Sequence, residues 1–193
     1  MNIIYLHGFK SSPQSIKGQQ LLDYCRVHQE LQLHLPDLNQ PPLEALAYVS
    51  DLIEQLQDVV LIGSSLGGFY ATQLVAKYGI PAVLINPAMR PWQLFRDLYG
   101  KTQLPYQVHE HWTLTDSQLL QLEKIAVPFV QDADKILVLL QQGDEVLDYR
   151  EAEGFYRGKH SAMLITEANG NHAMDDFAEK IPMALQFLSN CLK

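Results

Sequence analysis

The sequence predicts an α/β protein with a doubly wound, mostly parallel six-stranded sheet, and three observations carry that reading. Six short apolar runs recur along the 193 residues. They alternate with longer helical patterns, the β-α-β order that right-handed crossovers wind into a parallel sheet. Most of the runs are apolar throughout, as expected of strands covered on both faces.

Taken in order, residues 3–6 (Ile-Ile-Tyr-Leu) form the first strand. Ser12 followed by Pro13 then reads as an N-cap with proline in the first turn of a helix. Residues 31–35 are the second strand. Leu46, Val49, Ile53 and Leu56 recur at spacings of three, four and three, one apolar stripe along a helix. Residues 59–62 (Val-Val-Leu-Ile) are the third strand, 69–77 a helical run, and 82–85 the fourth strand. Residues 136–140 and 162–166 complete the set. Between them, Asp148 and Glu151 resemble a capping box at a helix start. Phe177, Ile181, Leu185 and Leu188 give the terminal helix its buried stripe.

One stretch departs from the rhythm. Residues 87–113 carry Pro87, Pro91 and Pro105 and no clear strand, and they open an excursion reaching about residue 125. Five aromatics (Trp92, Phe95, Tyr99, Tyr106 and Trp112) fall within 21 residues there, against 9% aromatic content for the chain. Two readings stand. The rings pack on the main core, or the segment is a small lid or rim supplying an apolar pocket over the strand ends. No repeat or linker divides the chain, so residues 1–193 are read as a single domain.

Composition narrows the function classes. With 47% apolar and 19% charged residues the chain is not of the disordered class. Lys plus Arg number 14 and Asp plus Glu 22, a net charge of −8, and no basic run offsets it. Nucleic acid and membrane surfaces are therefore not expected partners. Cys25 and Cys191 are too few for a disulfide framework and too isolated for a zinc cluster; both are expected on helices as small buried thiols. No apolar stretch approaches the ~20 residues that span a bilayer. The opening Met-Asn-Ile-Ile-Tyr-Leu lacks a basic n-region and cleavage site, so a cytoplasmic protein is expected.

The strongest chemical signal is Gly63-Ser64-Ser65-Leu66-Gly67-Gly68, directly after one strand and before a helical run. This is G-x-S-x-G in the strand–turn–helix setting that its mechanics require. The turn is tight enough to strain Ser65 and project its hydroxyl above the sheet. Gly63 and Gly67, two residues to either side, leave room for backbone and helix. Ser65 is thus a candidate nucleophile at the positive end of a helix.

A serine hydroxyl needs a base, and the base an acid to orient it, in the chain order Ser…Asp/Glu…His for such folds. His172 follows the last strand. Asp144 follows the strand at 136–140 and is the first choice for the acid, with Asp148 second. Glu145 is expected to point the other way. For the oxyanion hole, Leu66 supplies one backbone N–H and Phe9, after the permissive Gly8, the other. His7 is read as shaping that loop. Phe9, Trp92 and Phe95 are candidate pocket residues. His109-Glu110-His111 could suggest a metal, but no third ligand is evident, and a polar loop is the preferred reading.

Together, His7-Gly8-Phe9-Lys10-Ser11-Ser12-Pro13, Gly63-Ser-Ser-Leu-Gly-Gly68, Gly143-Asp-Glu-Val-Leu-Asp-Tyr149 and Gly170-Asn-His172 resemble the small bacterial YqiA-type esterases of the α/β-hydrolase superfamily. The resemblance covers essentially the full length. It implies a truncated α/β-hydrolase sheet of six parallel strands in the order 2-1-3-4-5-6, and an esterase or thioesterase of acyl substrates with no cofactor. It maps Ser65 to the nucleophile, Asp144 to the acid and His172 to the base. A chain this small leaves little room for a large cap, which favours short acyl groups. The rival readings are a non-catalytic module binding an acyl or small hydrophobic ligand, and an interaction partner using the aromatics of the excursion. The oligomeric state is left open.

Overall fold

The computed structural model describes residues 1–157 and 162–192. Its centre is a six-stranded parallel sheet built from β1 (Asn2–Leu6), β2 (Gln32–His34), β3 (Val59–Ser64), β4 (Ala82–Ile85), β7 (Ile136–Gln141) and β8 (Met163–Glu167). Their spatial order is β2-β1-β3-β4-β7-β8, which is 2-1-3-4-5-6 when these six are counted along the chain. Every pairing is parallel. This is the sheet that the apolar runs and the resemblance predict.

The reason lies in the two-residue period of a strand. Ile4, Leu6, Leu61, Leu84 and Val138 face one buried cluster, while Ile3, Tyr5, Ile62, Val83 and Leu139 face the other. A strand apolar on both faces needs helices on both sides. The first cluster is covered by α2 (Pro42–Gln55), α3 (Leu66–Tyr78) and α6 (Tyr149–Tyr156), the second by α1 (Ile16–Arg26) and α7 (Phe177–Cys191). The α7 stripe of Phe177, Ile181, Leu185 and Leu188 is buried as its spacing requires. The edge strands β2 and β8 are only partly covered, so the both-faces expectation holds for the four central strands alone.

Local signals need some correction. Helix α1 is capped by Ser15, whose Oγ accepts from the Gly18 amide at 3.2 Å, three residues beyond the Ser12 cap expected. Ser12 instead closes a turn, its carbonyl accepting from the Ser15 amide at 3.0 Å. Asp148 does cap α6 through the Arg150 amide, but Glu151 leaves the capping box and pairs with Arg90. Cys25 is buried on α1, whereas Cys191 on the last turn of α7 is partly exposed.

The excursion is more ordered than its prolines suggest. It contains α4 (Pro91–Gln103), an antiparallel hairpin of β5 (Tyr106–His109) and β6 (Trp112–Leu114), and α5 (Asp116–Ile125). The hairpin escapes sequence reading because its strands are short and its turn at 110–111 is Glu-His, without the Asn-Gly or Gly pair that marks such turns. Phe95, Trp112, Leu114, Leu119 and Leu122 are all buried in the first cluster, so the excursion extends the core. Among the described residues no helix is long and apolar enough to cross a membrane.

Candidate active site

Parallel sheets present their carboxyl ends to ligands, and the sequence-predicted residues collect there. Strand β3 ends at Ser64 and α3 begins at Leu66, leaving Ser65 alone to reverse the chain. It does so at φ 54° and ψ −118°, a left-handed conformation that costs a non-glycine residue ~1–3 kcal/mol. The surroundings hold it there. The Ser65 amide donates to the Ile85 carbonyl at 3.0 Å, and the Ser65 carbonyl accepts from Gly68, Phe69 and Ala88 at 2.9, 3.2 and 3.0 Å. A Cβ on Gly63 would stand 2.5 Å from the Gly67 carbonyl oxygen, and one on Gly67 would run into the carbonyl of Leu6. The elbow therefore exists because two positions lack side chains.

The chain after β1 passes beside the elbow. A Cβ on Gly8 would come within 3.2 Å of Ser65 Cβ, so this close approach also suits glycine. His7 anchors the loop. Its Nε2 accepts from the Leu38 amide at 2.9 Å, which places the proton on Nδ1, facing the Gly8 carbonyl at 2.9 Å. Burial pushes the His7 pKa down, consistent with a neutral ring used as a strut. Phe9 follows. At the first position of α3, Leu66 contributes an amide with no intrahelical acceptor.

On the opposite side, Asp144 follows β7 and His172 follows β8. Asp144 Oδ2 lies 2.8 Å from His172 Nδ1, while Oδ1 accepts from the Val146 and Leu147 amides at 2.8 and 2.9 Å. The carboxylate is 2% exposed and the imidazole 22%. A carboxylate without a proton can only accept, so Nδ1 carries the proton and Nε2 is left to exchange one. Asp148, the second choice, is occupied capping α6.

Three further side chains position the His172 loop; sequence reasoning missed Asn86 and Gln141 and expected Glu145 to point away. Asn86, at the end of β4, donates from Nδ2 to the Asn171 and His172 carbonyls at 3.1 and 3.2 Å, and its Oδ1 accepts from the Gln141 amide at 3.0 Å. Gln141 accepts from the Asn171 amide at 2.8 Å and donates to Glu167 and Asp176 at 3.0 and 2.9 Å. Glu145 does not turn away: its Oε2 accepts from the His172 amide at 3.0 Å. Asn86 and Gln141 are both 2% exposed. The available signal was a polar residue closing an otherwise apolar strand at its carboxyl end.

Ser65 and His172 line one cavity of about 330 Å³ together with Gly8 and Phe9. The other two candidate pocket residues lie elsewhere. Phe95 is buried behind Phe9, ring centroids 4.4 Å apart, and Trp92 packs against Phe69 and lines a separate groove. Trp112 and Tyr99 also pack on Phe9, so the excursion meets the cavity through that ring. His109, Glu110 and His111 sit at the hairpin tip. Among the described residues no group of three or more His, Cys, Asp or Glu is placed to hold a metal ion.

Comparison with known proteins places this geometry in a wider setting. The sequence matches the uncharacterised protein family UPF0227 over residues 2–189. A UPF0227 protein of Shewanella sediminis (strain HAW-EB3) is 25% identical over 165 residues, covering 80% of this chain and 84% of the relative. Among solved structures, the fold is similar to alpha/beta hydrolase domain-containing protein 10 from mouse, with TM-score 0.68, 16% identity, and 100% and 90% of the two chains covered. It is similar to the Pyrococcus furiosus esterase Pf2001 at TM-score 0.68 and 15% identity, covering 100% and 82%. The α/β-hydrolase fold predicted from the motifs is thus the fold observed.

Proposed function

The chain belongs to the uncharacterised protein family UPF0227, and we propose that it is a serine hydrolase that cleaves carboxylic esters or acyl thioesters through an acyl-enzyme intermediate. One observation carries this reading. Ser65, on a strained elbow, shares a cavity with His172, whose Nδ1 is bonded to the buried Asp144. A protein that only binds a ligand has no use for that combination. An esterase among its structural neighbours lends the reading support by analogy of fold.

In this mechanism Ser65 Oγ attacks the acyl carbonyl as its proton passes to His172 Nε2. Asp144 stabilises the imidazolium. The amides of Phe9 and Leu66 donate to the tetrahedral oxyanion, a contribution worth ~2.7–4 kcal/mol per donor in comparable sites. Nε2 then protonates the departing alkoxide or thiolate. Water, losing its proton to the same nitrogen, attacks the Ser65 acyl ester and frees the acid.

The direct test is intact-protein mass after treatment with a fluorophosphonate. A single adduct on wild type, absent from Ser65→Ala and much slowed in His172→Ala, is expected. No adduct on folded wild type would overturn the assignment in favour of a binding module.

A further inference from the structure

The acyl-transfer scheme leaves one charged wall of the cavity unused. Lys17 stands in the first turn of α1 and lines the same cavity as Ser65 and His172. Among the described residues, no carboxylate oxygen lies within the 4.0 Å of an ion pair with its ammonium, and it donates no hydrogen bond. Lys180 shows what a settled lysine looks like in this fold: its Nζ reaches Glu167 and Asp176 at 2.7 Å each.

Asp175 is the other charged residue lining the cavity. Its Oδ2 already accepts from Asn171 Nδ2 at 2.7 Å. Asp175 acts on Lys17 at longer range, partly countering the burial that pulls the ammonium pKa down. A half-buried cation without a close partner is incompletely solvated, and an anion beside it relieves that cost. Elongated, flexible lysine normally turns its head to solvent, so its retention on this wall calls for a ligand.

We propose that Lys17 is a specificity-determining residue that receives an anionic group, carboxylate or phosphate, carried by the same ester whose carbonyl sits at Ser65. This rests on the hydrolase reading and names its substrate class: a negatively charged acyl or alcohol part. One cavity of this size cannot hold the two groups on separate large ligands, so charge and scissile bond belong to one molecule. Ser11, also on the wall, brings a hydroxyl suited to the same oxygens.

Two pairs of esters test it, each matching a carboxylate-bearing ester with a neutral analogue. The acyl arm compares the mono(4-nitrophenyl) ester of adipic acid with 4-nitrophenyl hexanoate. The alcohol arm compares the hexanoyl esters of 4-hydroxybenzoate and of its neutral ethyl ester. In wild type, the anionic member of at least one pair should be favoured by about tenfold in kcat/KM. That ratio should collapse in Lys17→Met, persist in Lys17→Arg, and weaken with added salt. An anionic-to-neutral ratio unchanged by Lys17→Met in both arms would overturn the proposal. Fluorophosphonate labelling separates the two failures: wild type that labels at Ser65 without a Lys17-dependent charge preference sinks only this inference. Wild type that does not label sinks the hydrolase reading beneath it.

Discussion

The two halves of the candidate site are positioned by opposite means. Around Ser65 the work is done by absence: Gly63 and Gly67 lack side chains where a methyl would strike backbone. Around His172 it is done by presence, with Asn86, Gln141, Asp144 and Glu145 each bonded to the loop or the ring. The glycines that permit the elbow fall within six consecutive residues, although the backbone that Gly67 clears is that of Leu6 on β1. Placement by hydrogen bonds gathers side chains from the ends of β4, β7 and β8. The comparison teaches that a strained turn leaves its signal in neighbouring residues, while an orienting network is spread over the sheet.

Substitutions should separate the two kinds of support. The largest effect is expected from Ser65→Ala, with kcat reduced on the order of 10⁶ and the thermal midpoint little moved. Asp144→Asn should lower kcat by roughly 10⁴, because an amide at that site favours the wrong imidazole tautomer. Asp148→Asn is its control and should leave turnover within a few-fold, since Asn also caps a helix well. Equal losses from the two would return the acid role to Asp148.

Next, Gly67→Ala should depress stability and activity together. Overpacking of this kind costs ~1–3 kcal/mol or more, and here the obstacle is backbone. Chemical denaturation measures it. Gln141→Leu tests the other half: it strands the Asn171 amide and should cost ~1–3 kcal/mol in stability. Its distinguishing mark is a fall in kcat with KM nearly constant, because the imidazole loses its aim while the cavity keeps its walls. A Gln141→Leu enzyme with wild-type kcat would show that Asn86, Asp144 and Glu145 suffice to hold the loop.

The smallest effect concerns pH. His7 is buried and accepts from the Leu38 amide, and burial lowers its pKa below the ordinary 6.5. Below that value the unfolded chain takes up a proton that the folded chain refuses, so stability falls as pH drops from 6.5 toward the folded pKa and is fully present above. Denaturation midpoints should therefore decline through mild acid, and His7→Gln should flatten that part of the profile. A wild-type profile flat through this range would remove His7 from the account.

Much of this was legible in the residues. Four central strands appear as apolar runs because both faces are covered, and the terminal helix appears in the spacing of Phe177, Ile181, Leu185 and Leu188. The elbow is legible for a different reason: its constraint is steric and falls on adjacent positions. The hairpin at 106–114 was not, because its burial alternates over three or four residues and its turn lacks a glycine. Nor was the cap of α1, where Ser12 and Ser15 are equally good by type and only the chain's path chooses between them.

By itself, then, the sequence determined the α/β class, the crossing order of the sheet through its family motifs, and the positions of Ser65 and His172 at strand ends. Tertiary structure alone decided that Asp144 turns to the imidazole while Asp148 stays on α6, and that Glu145 accepts from the His172 amide. It also decided that Phe95 lies behind Phe9, outside the cavity, and that Lys17 lines the cavity without a close partner. The physical reason is range. Period and glycine spacing act between near neighbours, whereas a carboxylate's partner or a lysine's isolation depends on which distant strands and helices end side by side.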